Sequence, residues 1–519
     1  MTNLLLFFII IQVIHFLGTW KLYKKAGRQT WEAAVPVYNA YVLTKIINRP
    51  WWWVILLFIP IINLMMFPSF WVETVRSFGK EKTSHVLLAV FTLGFYIFYL
   101  NYIEDVKYLE ERQLSPHTKA GEWVTSIVFA IIAATLVHTY FMRPYTIPTS
   151  SLEKSLLVGD YLFVSKFHYG ARTPKTALAL PMVHDTIPIF FTGKRVKSYV
   201  KDVSIPNFRF PGFQKIKRND IVVFNWPADT VRFFRDRSGI HVDKPIDKKS
   251  NYVKRCVGIA GDSLEIKDGY IFINGKQTVL PDRAKPQFYY TLDTGSKQIN
   301  LQRFFEKYDI TEGGKLADGR FVLNLTKEAA DYLRKQKSVV SLTQNIDSAG
   351  VYEKRIFPHD PQYPWSKDNF GPIYIPKKGV QVTLDAKSIP LYKRIIKEYE
   401  GNDVAIEGDQ IYINGKEADS YTFKQDYYWM MGDNRHNSED ARYWGYVPFD
   451  HVVGKPVFIW FSIEQKDPRN PKGLFQRIRT ERLFTTVHYG GEPRSYLIPF
   501  IVFVLLLWGF SYFRRRRKA

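Results

Sequence analysis

Three serines, Ser150, Ser151 and Ser155, stand in the stretch PTSSLEKSLLVGD (148–160), shortly after a long uncharged run that ends at Met142. A serine hydroxyl becomes a nucleophile only when a base takes its proton in the attacking step. No histidine sits in a G-x-S-x-G elbow or another familiar triad context. The base on offer is a lysine. In NYVKRCVGIAGD (251–262), strand alternation puts Tyr252, Lys254 and Cys256 on one face and Val253, Arg255 and Val257 on the other. Desolvation on the Tyr252–Cys256 face disfavours an ammonium, and the neutral amine that results can serve as general base. Arg255, on the opposite face, is expected to remain solvated and charged. A third stretch, MMGDNRHNSEDARYWGYVP (430–448), gathers Asp433, Glu439 and Asp440 with Arg435, Arg442 and Ser438. It is not a calcium loop, because Arg435 occupies the third position, where an oxygen ligand is required. A salt-bridged turn, for instance Asp440 with Arg442, would give a reactive pair the rigid surroundings it needs.

These pieces need elements to carry them. From Arg143 to about Arg494, Pro, Gly and Asp punctuate short β-branched and aromatic runs, such as DYLFVSKFHYG (160–170), DIVVFNWP (220–227) and KPVFIWFS (455–462). Runs this short, bounded by turn residues, predict a mainly β domain. SLEIKDGYIFINGK (263–276) and DVAIEGDQIYINGK (403–416) each predict two strands joined by an Asp-Gly or Gly-Asp turn and ending on an Asn-Gly turn. Residues 277–400 are denser in Lys and Glu, with a helix expected over TKEAADYLRKQ (326–336) and no catalytic spacing. They read as an inserted α+β subdomain.

Five stretches lack Asp, Glu, Lys and Arg: Leu4–Trp20, Trp51–Val72, Val86–Ile103, Trp123–Met142 and Ser495–Phe513. Each approaches the roughly 20 residues a membrane span needs, Val86–Ile103 least comfortably. Aromatic residues mark their ends, as at membrane interfaces. The first stretch has no basic residue before it and Lys21, Lys24, Lys25 and Arg28 after it, the reverse of a cleaved signal's charge order, so it reads as a retained anchor. Placing residues 21–50 and the tail RRRRKA in the cytoplasm puts the amino terminus and the large segment 143–494 outside when all five stretches span. The expected division is a membrane module of three spans at 1–122, acting as an anchor or interaction module, and a further span at 123–142. The β domain then occupies 143–276 and 401–494 around the insertion 277–400, with a last span and basic tail at 495–519.

Seventy-two basic against 49 acidic residues give a formal charge of +23. For an exported domain the anionic lipid headgroup is a more economical partner for that charge than nucleic acid, and a plain solvated basic surface accounts for it equally well. The single cysteine, Cys256, excludes an intramolecular disulfide framework and a Cys-cluster metal site. Neither a metal nor a cofactor is expected.

The three stretches, with a fourth, resemble the conserved boxes of the type I signal peptidases, membrane-bound serine proteases that remove secretory signal peptides. The family pattern P-S-x-S-M-x-P-T-L-x-x-G-D is matched by PTSSLEKSLLVGD, Y-x-K-R-x-V-G-x-x-G-D by YVKRCVGIAGD, and G-D-N-R-x-N-S-x-D-S-R-x-W-G by GDNRHNSEDARYWG. R-G-D-I-V-V-F appears as RNDIVVF (218–224), and all four occur in the family's order over roughly residues 144–462. The resemblance implies a signal-peptidase-like β fold on α-helical transmembrane anchors, in a multi-pass protein of the bacterial cytoplasmic membrane with its catalytic domain on the periplasmic face. It implies a Ser-Lys dyad of Ser151 and Lys254, with an oxyanion hole from Thr149 and the Ser151 N–H. Ser438 would hold the lysine, and Asp433, Asp440 and Arg442 would support the site. Ile147, Pro148, Leu152, Leu156, Tyr252 and Val253 match pocket positions for a preprotein strand cut at small-x-small sites. Leu152 stands for the usual methionine and Ala441 for a serine. Lys154-Ser155 stands for Pro-Thr, which is expected to loosen that loop. Ser150 adds a second hydroxyl, and the register from Gly159-Asp160 favours Ser151. A self-processing Ser-Lys protease of the repressor type shares the catalytic logic, but the spans and the third box argue against it.

Overall fold

The computed structural model describes residues 2–516 except 116–117, 190, 193, 232–237, 296, 298–300, 309, 467–471 and 488–492; the last three residues of the basic tail also lie outside the described residues. The chain divides into two compact units. One comprises Met1–Phe141, Ala171–Phe210 and Thr230–Ser250, and the other Met142–Gly170, Pro211–Asp229 and Asn251–Ala519.

Among the described residues, three helices are long and apolar enough to cross a membrane: Leu4–Lys25, Lys119–Phe141 and Leu497–Arg514. They coincide with the first, fourth and fifth uncharged stretches. The other two stretches differ from the expectation of straight spans. Trp51–Val72 is divided between helices Trp53–Leu57 and Asn63–Ser77. The break contains Pro60, which cannot donate to a helical ladder. Val86–Ile103 is divided between Thr83–Phe91 and Tyr96–Tyr102, which are bent by 113°. Gly94 sits in that bend, where a Cβ would stand only 2.7 Å from the Trp71 ring. A core containing Leu22, Val42, Ile62, Phe70, Val75 and Leu100 holds these short helices together.

The second unit is mainly β, as its turn-punctuated runs predict. Its largest sheet runs in the order Met142–Thr146, Asp160–Ser165, Val452–Ser462, Ile221–Asn225, Asn251–Gly258, Tyr427–Met431 and Val447–Pro448, all antiparallel, with Thr485–Thr486 on Val452–Ser462. The strand Ile221–Asn225 is buried at every residue because each face of the sheet has its own core. Val222 and Phe224 enter the larger core with Cys256, Trp429 and Met430. Ile221 and Val223 enter a smaller one with Ile147, Leu152, Leu156 and Leu162.

Both predicted hairpins form. Ser263–Lys267 pairs with Tyr270–Ile273, and Val404–Glu407 with Gln410–Ile413. Asn274 and Asn414 take φ of 52° and 53°, the left-handed conformation that Asn-Gly turns require. The expected helix spans Lys327–Arg334, capped by the Thr326 hydroxyl. Residues 277–400 divide between two cores. A four-stranded sheet, in the order Gly313–Lys315, Phe321–Thr326, Gln287–Asp293 and Ser341–Gln344, has its own apolar cluster around Phe288, Leu323 and Leu333. Phe370–Tyr374 instead pairs with Ser263–Lys267, and Ile356, Phe370, Leu391 and Ile396 join the larger core.

Phe224 is fully buried and packs its ring against Tyr252 and Trp444, at centroid separations of 6.4 and 5.8 Å. Phe224→Ala should destabilise the protein by about 3–5 kcal/mol, measurable as a lowered denaturation midpoint followed by tryptophan fluorescence in detergent.

Candidate active site

The serines lie on a short 3-10 turn, Ser150–Leu152, entered from Thr149 in extended conformation (φ −136°, ψ 153°). This turn packs against the strand Asn251–Gly258 that carries Lys254. Leu152 anchors it from below, 1% exposed in the smaller core, and the exchange for the family's methionine keeps that apolar role. The turn is tied from above to the loop that follows Tyr427–Met431: the Asn434 N–H donates to Ser151 O (3.1 Å) and the Asn434 side-chain amide to Ser150 O (3.2 Å). Gly432 belongs to the same contact. A Cβ there would fall 2.5 Å from Ser151 O and 2.3 Å from Ser438 Oγ, so only glycine lets the two segments meet.

The two adjacent serines have different surroundings. Ser150 Oγ donates to Glu312 (2.8 Å) and accepts from the Asn437 amide (3.0 Å). Ser151 is 7% exposed, and among the described residues its hydroxyl makes no hydrogen bond. Lys254 is 4% exposed, and among the described residues its amine makes no hydrogen bond or ion pair, lying 5.8 Å from the Tyr252 ring centroid. Burial pushes this amine down to about 8, against the opposing pull of Asp440 and Glu439. Ser438 Oγ is likewise buried and unpartnered among the described residues.

Two carboxylates near Lys254, Asp433 and Asp440, are each paired with an arginine. Arg255 is 1% exposed and makes a bidentate pair with Asp433, Nε to Oδ1 at 2.8 Å and Nη2 to Oδ2 at 2.6 Å. This corrects the expectation that Arg255 stays solvated. Alternation sends it away from Lys254 as expected, but the Asp433 carboxylate meets it there. Burial works against the Asp433 charge, yet Arg255 holds its carboxyl below the usual carboxylate range. Arg442 pairs with Asp440 in the same fork, both distances 2.9 Å and both side chains fully buried. Asp440 also accepts from the Gly432 N–H (3.1 Å), linking the ion pair to the glycine that meets Ser151. Ser155 keeps the hydroxyl of the family's threonine: it donates to Asp433 Oδ2 (2.6 Å) and accepts from Arg255 (3.2 Å), holding the loop at that point.

Of the matched pocket positions, Ile147, Leu152 and Leu156 are buried in the smaller core, with Val253 partly buried against them. Tyr252 is not with them. It stacks on Trp226 at 5.1 Å against the larger core. Pro148 and Thr149 are exposed. Sequence reasoning does not single out Gly432, Asn434 or Glu312. The first two lie inside a quoted box, while Glu312 carries no motif signal.

The family described as "Signal peptidase, peptidase S26" matches residues 120–381 and 419–461, more than half of the chain. Residues 31–111 match a second family, described as of unknown function (DUF5684). Among curated relatives, Signal peptidase I of Buchnera aphidicola subsp. Baizongia pistaciae is 25% identical over 67% of this chain and 79% of its own. Signal peptidase I of Haemophilus influenzae is 23% identical over 73% and 79%. That of Helicobacter pylori strain J99 is 23% identical over 72% and 93%.

Gly432→Ala should lower peptidase activity at least a hundredfold while leaving the far-UV circular dichroism unchanged, because the new methyl displaces the Ser150–Leu152 turn and misplacements near 1 Å cost that much in an active site. With the site's residues, their geometry and these matches in hand, the chain belongs to the signal peptidase family, peptidase S26.

Proposed function

We propose that this serine peptidase removes signal peptides from exported preproteins with a Ser151–Lys254 dyad. The observation that carries the reading is the pair of buried reactive groups, unpartnered among the described residues: a Ser151 hydroxyl with no hydrogen bond and a Lys254 amine brought to about 8 with no counter-ion bound to it. Lys254 takes the Ser151 proton as Oγ attacks the scissile carbonyl. The oxyanion is held by the Ser151 N–H and the Thr149 hydroxyl, donors that act on charge developing in the transition state. Lys254, now an ammonium oriented by Ser438, gives its proton to the leaving amine. Water, deprotonated by the same amine, then releases the signal peptide from Ser151.

The substrate lies as an added strand beside the turn, a mode in which backbone hydrogen bonds supply affinity and alternate pockets supply specificity. Ile147, Pro148, Leu152, Leu156, Tyr252 and Val253 are the pocket positions that the resemblance assigns, of which Ile147, Leu152, Leu156 and Val253 share one apolar cluster, and small residues are expected at the first and third subsites before the cut.

In the cleavage of a preprotein with an Ala-x-Ala site, Ser151→Ala and Lys254→Ala should each lose at least a thousandfold, whereas Ser150→Ala keeps measurable cleavage. Since the neutral amine is the active form, wild-type kcat/KM should rise about tenfold per pH unit below 8 and level off above it. Full activity in Ser151→Ala, or a profile flat from pH 6 to 9, would refute the dyad.

The membrane arrangement follows from charge and helix length together. With the three long helices alone crossing, residues 21–118 and the basic tail share the cytoplasmic side, and residues 142–494 lie outside. Counting the bent pair as a fourth span would put the basic tail outside. The two broken stretches cross together or not at all in this reading, since three spans and five both keep residues 21–50 and the basic tail on one side. Glu81→Cys distinguishes the schemes. Three spans predict that it reacts with an impermeant maleimide only after the cells are opened, whereas five spans predict labelling from outside in spheroplasts. The native Cys256 is buried and gives little background.

A further inference from the structure

The inserted sheet supplies a carboxylate to the nucleophile turn. Glu312 directly precedes the strand Gly313–Lys315. Its Oε2 accepts from the Asn324 amide (3.0 Å) and the Tyr289 hydroxyl (3.2 Å), and its backbone O accepts from the Asn324 N–H (3.0 Å). Those three bonds fix the carboxylate on its own sheet. Its Oε1 faces the other way, accepting from Ser150 Oγ (2.8 Å) and from the Asn437 amide, while Asn437 also donates to Ser150. Ser150 is the residue before Ser151, and Asn437 the residue before Ser438.

The same sheet grips both loops at other points. Gln287 donates its N–H to Asp433 O (2.9 Å) and its side-chain amide to Glu153 O (3.1 Å), and accepts from the Arg435 N–H (2.9 Å). The Asn324 amide donates to Asn434 (2.7 Å). His436 accepts the Tyr289 N–H at Nδ1 (3.0 Å) and meets Asp368 through Nε2 (2.9 Å). These contacts would hold the two loops near one another, but among the described residues only Glu312 joins the neighbour of the nucleophile to the neighbour of Ser438 through a single ionised group. Bonds to a carboxylate are short and strong, and two donors on one oxygen fix each other's position.

We infer that Glu312 is a positioning residue for the peptidase reaction, setting the separation of Ser151 from Ser438 and so from Lys254. The inference rests on the dyad assignment above. It also explains what the inserted sheet is for, since it clamps the catalytic loops from outside the main sheet.

The test compares kcat and KM of the full chain in detergent, on a preprotein with an Ala-x-Ala site, for Glu312→Ala, Glu312→Gln, Ser150→Ala, Asn437→Ala and the double variant Glu312→Ala with Ser150→Ala. Misplacement of the nucleophile should cost kcat about ten- to a hundredfold with KM within twofold of wild type. The double variant should be no worse than Glu312→Ala alone, since the two residues act through one bond. Glu312→Gln, which keeps an oxygen toward Ser150, should recover part of the loss. The pH midpoint should stay where it is in the wild type, because Glu312 is not among the charges acting on Lys254. An unchanged kcat in Glu312→Ala, or a loss confined to KM, would overturn the inference. If Glu312→Ala does not fold, Ser150→Ala and Asn437→Ala decide the matter, as each removes one donor to Glu312 and leaves its bonds to Asn324 and Tyr289 in place, and wild-type kcat in both overturns it. Survival of activity in Ser151→Ala would instead bring down the dyad, and this inference with it. Loss in Ser151→Ala beside wild-type kcat in Glu312→Ala would leave the dyad standing and remove only the role of Glu312.

Discussion

Lys254 sits in the interior with carboxylates near it, and among the described residues none of them binds it. Asp433 is committed to Arg255 and Asp440 to Arg442, each through a bidentate pair buried from solvent. Two fully ionised acids beside a lysine would ordinarily stabilise the ammonium and leave a poor base. Here desolvation is the largest influence and brings the amine down to about 8, while Asp440 and Glu439 still favour the ammonium and Arg442 opposes them in part. A guanidinium is far harder to deprotonate than an ammonium, which suits arginine rather than lysine to the two buried pairs. Much of the surrounding structure follows from this division. The loop 432–442 must be folded tightly enough to bury two ion pairs, and a buried pair that loses one partner is costly. Asp440 also carries the Gly432 N–H, so the pair that protects Lys254 places the glycine against which Ser151 rests.

Neighbouring residues on one strand thus end in opposite electrostatic states. Lys254 and Arg255 are both basic, adjacent and buried, and alternation alone separates them onto the two sides of the sheet. On one side Arg255 finds Asp433 and Ser155. On the other Lys254 finds the Tyr252 ring and, among the described residues, no anion in contact. A slip of one residue in the pairing of Asn251–Gly258 with Ile221–Asn225 would exchange these environments. The burial of these strands, with a separate core on each face, specifies the register against such a slip.

How much of this is legible in the sequence depends on whether the relevant partner lies close in the chain. The turn of Ser150–Leu152, the lysine in an apolar run and the Asp440–Arg442 pair are local features, and each is readable from spacing. The burial of Arg255 is not, because alternation gives a face and not a partner: Asp433 is distant in sequence and arrives through strand pairing. The Ser155 bond to Asp433 is hidden for the same reason, since its partner is distant in sequence. Glu312, Asn324 and Gln287 carry no pattern at all, as their importance lies in which loop they touch. The membrane module departs differently. Trp51–Val72 and Val86–Ile103 have the uncharged length of a span, but hydropathy does not register Pro60 between two helices or a glycine pressed against an indole.

The insertion illustrates what a catalytic loop needs when its own strand ends can fix only one side of it. Residues 432–440 leave the main sheet after Met431 and return as the short helix Ala441–Trp444, so the sheet restrains them at their ends. The middle of the loop, from Asn434 to Asn437, has to be held by something else. A sheet with its own core at Phe288, Leu323 and Leu333 can do so, because its strand ends are rigid without help from the loop they restrain. The contacts are made by polar side chains and strand-edge backbone groups rather than by apolar packing. Hydrogen bonds are directional where apolar contact is not, and a serine on a turn and a lysine on a strand can be aligned only by contacts that fix direction as well as proximity.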